Sequence, residues 1–133
     1  MSLSRFATIF CVIGSWIALH AGFLDQESLR AQQEHKLLLI TIESDDCPFC
    51  QQMKKEIFNA KPYRSSIDEK FIVVTFQSND PILPPDFRPQ YLPANAIIRP
   101  KDKEVIDAYM GYIEPGRFME ILNDAYRSQS KKP

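Results

Sequence analysis

The 133-residue chain lacks most of the features that narrow a protein's function at once. Its 16 basic and 17 acidic residues leave a formal net charge of −1, and neither sign forms a long run. A nucleic-acid partner is therefore not expected, and Lys131-Lys132 is too short a basic tail to change this. No internal repeat and no low-complexity segment occurs, which excludes a repeat array. Long hydrophobic runs are also missing, with one exception near the start. Phe6 to Leu19 is apolar over about 14 residues, below the roughly 18 of a membrane-spanning helix. Cysteine and histidine are scarce, at 3 and 2 residues. A closed zinc site needs about four ligands, so these numbers argue against one within a single chain.

The apolar run follows Arg5 and is followed by the small residues Ala21 and Gly22. A basic start, a short apolar middle and a small-residue cleavage site are the layout of a secretory signal. Residues 1–21 are therefore expected to be a signal peptide and 22–133 a single domain. Leu19, three residues before the expected cut, is larger than usual there. This keeps an uncleaved membrane anchor as the alternative. Cleavage leaves about 110 residues, a normal size for one core. It also removes Cys11 and leaves Cys47 and Cys50, with His35 as the remaining histidine.

Cys47-Pro48-Phe49-Cys50 is the most informative segment. A structural disulfide stabilises chiefly by closing a long loop, and a ring with two intervening residues constrains little. Redox chemistry explains the pair better than a structural staple or a metal site does. The motif follows the apolar run Leu37 to Ile42, read as a buried strand, and precedes a helical segment, Gln51 to Ala60. A Cys-x-x-Cys between strand and helix is a mark of thiol-disulfide exchange. Pro48 suits the first turn of that helix, because its missing N–H has no partner to lose.

The remaining elements follow from pattern and breakers. Asp25 to Lys36 reads as a helix capped by Asp25 and ended by a surface His35. Lys61-Pro62 interrupts the helix after the cysteines, with Tyr63 to Ile67 extending it past a kink. Phe71 to Phe76 is the clearest strand. Gln77 to Pro93 carries five prolines, which excludes a regular helix and marks a long loop, usually a functional one. Ala94 to Ile98 and Glu104 to Met110 read as strands joined by a turn at Lys101-Asp102-Lys103. In the second, Val105 alternates against Asp107 and Ile106 against Ala108. Gly111 breaks that strand. Glu114-Pro115-Gly116 opens a last helix whose apolar face is Phe118, Ile121, Leu122, Ala125 and Tyr126. The first two strands flank a helix and should pair in parallel, and the last two should form an antiparallel hairpin. This is an α/β chain with a mixed central sheet and helices on both faces.

Three features in this order resemble the thioredoxin superfamily, in particular its secreted bacterial thioredoxin-like members. They are the Cys47–Cys50 motif, Pro93 directly before a strand, and the glycine turn Gly111 to Phe118 before the closing helix. The resemblance covers nearly all of the chain after residue 21. It implies a thioredoxin-like fold and a thiol-disulfide oxidoreductase. It further implies that Cys47 is the exposed nucleophile and Cys50 the buried resolving thiol. The Leu92–Pro93 bond would be cis and face the disulfide. Pro48, Phe49 and Pro93 would support the site, and Leu92 and Gly111 would contact substrate. No cofactor or metal beyond the cysteines is called for. The expected partners are protein disulfide or dithiol substrates and a redox partner protein, possibly membrane-bound. The expected molecule is a monomer in the periplasm or secreted. Two residues depart from the family pattern. Thr41 stands six positions before Cys47, where many members carry a buried acid, while Glu43 shares its face by alternation. Pro-Phe between the cysteines matches neither the Gly-Pro of reducing members nor the His-containing pairs of strong oxidants. A non-catalytic binding module using the same fold is the alternative from another class. A disulfide isomerase is a further one, although no dimerisation element is visible.

The attacking species is the thiolate. A helix N-terminus stabilises it through unpaired N–H groups and partial positive charge, while Asp45 and Asp46 beside it act in the opposite sense. No histidine lies between the cysteines to add positive charge. The Cys47 thiol should thus be more acidic than free cysteine, but less so than in the strongest oxidants. A less stabilised thiolate makes a less oxidising disulfide, so the chain should be a reductant or mild exchanger. A glutathione redox titration is expected to give a potential well below that of the strongest periplasmic oxidants. A value as high as theirs would overturn this reading.

Overall fold

The structure, a computed structural model, describes residues 22–131. The expected signal segment, its cleavage point and Cys11 lie outside the described residues. Four strands form one mixed sheet in the order β2-β1-β3-β4. Strand β1 (Leu37–Glu43) pairs in parallel with β2 (Phe71–Gln77) and antiparallel with β3 (Ala94–Ile98). Strand β4 (Val105–Met110) closes an antiparallel hairpin with β3. Helix α1 (Asp25–Gln33) covers one face of the sheet. Helices α2 (Pro48–Met53), α3 (Lys61–Lys70) and α4 (Pro115–Ser130) cover the other. The expected mixed sheet with helices on both faces is the one observed.

β1 is buried along its whole length. Its alternate side chains feed two cores, as an apolar run without polar alternation requires. Leu38, Ile40 and Ile42 join Leu24, Ala31, Ile72 and Ile98 on the α1 side. Leu37 and Leu39 join Met53, Ile57, Ile67, Phe71, Phe118 and Leu122 on the other. Phe118, from the predicted apolar face of α4, is fully buried and meets Phe58 edge-on with ring centroids 5.8 Å apart.

Local details differ from the sequence reading in three places. Asp25 is the first residue of α1 rather than its cap, and Leu24 caps the helix in a left-handed conformation. The Asp25 carboxylate instead accepts the Gly22 N–H and pairs with Lys103, a tertiary contact with the β3–β4 turn. The segment after the cysteines is helical from Pro48. It widens into a π-turn at Lys54–Phe58 before α3 starts anew at Lys61. The hairpin contains a bulge: Ile97 pairs with Asp107 but Ile98 with Val105, so Ile106 has no opposite residue. The simple alternation along β4 therefore fails, and Ile106 packs on the α4-side core.

The proline-rich loop between β2 and β3 has one 3₁₀ turn, Pro85–Phe87. It is anchored by Leu83, which is 2% exposed, and by Phe87, whose ring lies 5.0 Å from that of Phe23. Replacing Phe118 with Ala is expected to cost about 3–5 kcal/mol in urea unfolding, from lost burial plus a cavity. Replacing Arg127, whose pairing with Asp124 is exposed, should change stability by less than about 0.5 kcal/mol.

Candidate active site

The cysteine pair stands where β1 delivers the chain into α2. Cys47 caps α2 in extended conformation, and Pro48 takes the first helical position without wasting an N–H. Cys47 and Cys50 form a disulfide, with Cα atoms 5.2 Å apart. The two sulfurs are not equivalent. Cys47 is partly exposed, whereas Cys50 is 2% exposed on the inner face of the helix. The Cys47 Sγ accepts the Cys50 backbone N–H at 3.2 Å. A donor held on this sulfur stabilises negative charge there once the disulfide opens.

The other residues singled out from the sequence differ in exposure and in backbone conformation. Pro48 and Phe49 are exposed, Phe49 at 57%. The Leu92–Pro93 peptide bond is cis. Pro93 is buried, and its carbonyl accepts the Gly111 N–H at 2.7 Å, which ties the end of β4 to the start of β3. Gly111 has φ 92°, a region that favours glycine, so the turn needs this residue. The Leu92 side chain packs, half-buried, against the α1-side core. Tyr112 stacks at a tilt on Phe49 with centroids 6.2 Å apart.

Asp45 and Asp46 are exposed, beside Cys47. The Ser44 hydroxyl donates to Asp46 and holds its carboxyl below the usual range, so it is charged at neutral pH. Behind the site, Thr41 and Glu43 are buried on the α2 side of β1, as alternation predicts. Glu43 carries a buried charge that the Lys54 ammonium meets at 2.6 Å from the π-turn. This partner was not legible in the sequence, because the two residues come from different elements. Asn95 lies opposite Thr41 in the sheet, buried, with no hydrogen bond from its side-chain amide to the described residues. Among the described residues, no group of three or more His, Cys, Asp or Glu is placed to hold a metal ion. Nor is any helix among them long and apolar enough to cross a membrane.

The profile of a thioredoxin-like domain family matches residues 24–126. No curated protein sequence matches the chain. Several solved structures share its fold. A thioredoxin from Thermus thermophilus aligns at 22% identity and TM-score 0.64, covering 74% of this chain and 81% of that one. The C-terminal domain of Neisseria meningitidis DsbD, in its reduced form, aligns at 20% identity and TM-score 0.60, covering 77% and 93%. The periplasmic thioredoxin SoxS from Paracoccus pantotrophus aligns at 21% and TM-score 0.54, covering 68% and 96%. At these identities the likeness is one of fold.

The Glu43–Lys54 pair yields a stability prediction. Lys54 is 38% exposed and Glu43 only 8%, so removing the lysine strands a buried carboxylate. Solvent reaching the lysine side lowers the usual cost of breaking a buried pair. Lys54→Met is expected to lose about 1–3 kcal/mol near neutral pH. Urea unfolding at neutral pH checks the size of the loss.

Proposed function

The chain belongs to the thioredoxin-like domain family, and on that premise we propose that it is a thiol-disulfide oxidoreductase acting on protein disulfides through Cys47 and Cys50. One observation carries the reading. The pair joins an accessible sulfur, which accepts a backbone N–H, to a buried one three residues on. A structural staple has no use for that asymmetry, whereas an exchange reaction depends on it.

In the reduced protein the Cys47 thiolate attacks one sulfur of a substrate disulfide. A Cys47–substrate disulfide forms, and the other substrate sulfur leaves as a thiolate and takes a proton. Cys50, as its thiolate, then attacks the Cys47 sulfur. The Cys47–Cys50 disulfide forms, and the second substrate sulfur leaves. Two electrons have passed to the substrate, and a dithiol protein must return two to this chain. The same steps run backwards in an oxidant. The charged Asp45–Asp46 segment limits thiolate stabilisation and favours a reductant or mild exchanger. The backbone at Leu92, before the cis-proline, would receive the substrate as an added strand, with Gly111 beside it. No cofactor beyond the two cysteines enters.

The signal-like residues 1–21 support a periplasmic or secreted location for the 22–133 domain. The likeness to a periplasmic thioredoxin points the same way. Insulin reduction with dithiothreitol as electron source should be accelerated by the protein and return to background with Cys47→Ser. Cys50→Ser should accumulate a mixed disulfide that dithiothreitol releases. Turnover that survives Cys47→Ser would sink the proposal.

A further inference from the structure

Phe49 is a large apolar ring between the two cysteines, and 57% of it faces solvent. It does not stand alone. Tyr112 lies against it, with ring planes inclined at 38°. Tyr112 follows Gly111, whose N–H is fastened to the Pro93 carbonyl. The contact therefore joins the cysteine helix to the turn fastened to the cis-proline.

The Tyr112 ring is held in place. Its hydroxyl donates to Glu56 Oε2 at 2.5 Å, and the other oxygen of that carboxylate accepts Gln52 Nε2 at 3.0 Å. The Tyr112 hydroxyl holds the Glu56 carboxyl below the usual range, so the acceptor is ionised at neutral pH. Both Glu56 oxygens are occupied by this chain's own donors, which suits a group that positions Tyr112 rather than one that binds a ligand.

Phe49 stands two positions from the partly exposed Cys47, so the residue beside a substrate cysteine on that sulfur would be offered two tilted rings whose polar tip is already engaged. Resting on the oxidoreductase reading above, we propose that Phe49 and Tyr112 form a subsite selecting disulfides with an aliphatic or aromatic residue next to the attacked cysteine, with Glu56 as the positioning residue for Tyr112.

The test uses the reduced full-length protein and short peptides whose one cysteine is disulfide-linked to the chromophore thionitrobenzoate. Three peptides differ at the residue next to cysteine: Leu, Ser or Arg. Chromophore release is followed against peptide concentration. The Leu peptide is expected to react roughly tenfold more efficiently than the Ser peptide, the scale of discrimination an apolar pocket gives. In Tyr112→Ala the ratio should fall towards one. In Tyr112→Phe and Glu56→Gln, which keep the ring, it should fall roughly two- to threefold, through the half-saturating concentration rather than the limiting rate. A merely structural role would lower all rates together and leave the ratio unchanged. A wild-type ratio near one overturns the proposal, as does a ratio untouched in Tyr112→Phe and Glu56→Gln or a preference for the Arg peptide. In each of those outcomes chromophore is still released, so the oxidoreductase reading stands. No release from any peptide overturns both.

Discussion

The burial of β1 on both faces is the constraint from which the rest of the molecule follows. A strand with seven consecutive buried positions must have neighbours on both edges and layers above and below. β2 and β3 supply the edges, and α1 and the α2–α4 group supply the layers. The chain leaving such a strand can only emerge at the end of the sheet. Cys47 lies there, four residues past the last position of β1, as the N-cap of α2. The cysteine pair is thus placed by hydrophobic burial some distance from it.

The same strand carries polar positions at the end nearest the cysteines. Thr41 and Glu43 are buried on the face that α2 covers, and Asn95 joins them from β3. An ionised Glu43 is tolerable there only because Lys54 reaches it. The outer surface of the site carries Asp45 and Asp46, which oppose a thiolate, while the Cys50 N–H favours one. Tyr112 and Glu56 add an aromatic and hydrogen-bonded rim that reaches the cysteine helix from the end of β4. Charges of both signs and a backbone donor thus lie within a few residues of the Cys47 sulfur.

Much of the fold was legible in local pattern. Ala94 to Ile98 was read as a strand with its observed limits, and Glu114-Pro115 as the start of α4, because turn and cap residues mark both. The π-turn, the Ile106 bulge and the cap of α1 were not legible. Each is an adjustment of one residue that lets a side chain reach a core or a partner elsewhere in the chain, and periodicity carries no such signal. The candidate site divides in the same way. Cys47, Cys50, Pro48 and Pro93 stand out by type and spacing. Tyr112, Glu56 and Lys54 do not, because their partners lie 56, 56 and 11 positions away in the chain.

By itself the sequence determined the α/β class, the parallel and antiparallel pairings and the presence of a redox-type cysteine motif at a helix start. Those depend on short-range patterns of apolarity, turns and residue chemistry. Only the tertiary structure decided what pairs with Glu43 and which ring lies against Phe49. Each of these depends on how distant segments pack against one another, and packing is settled by the whole folded chain.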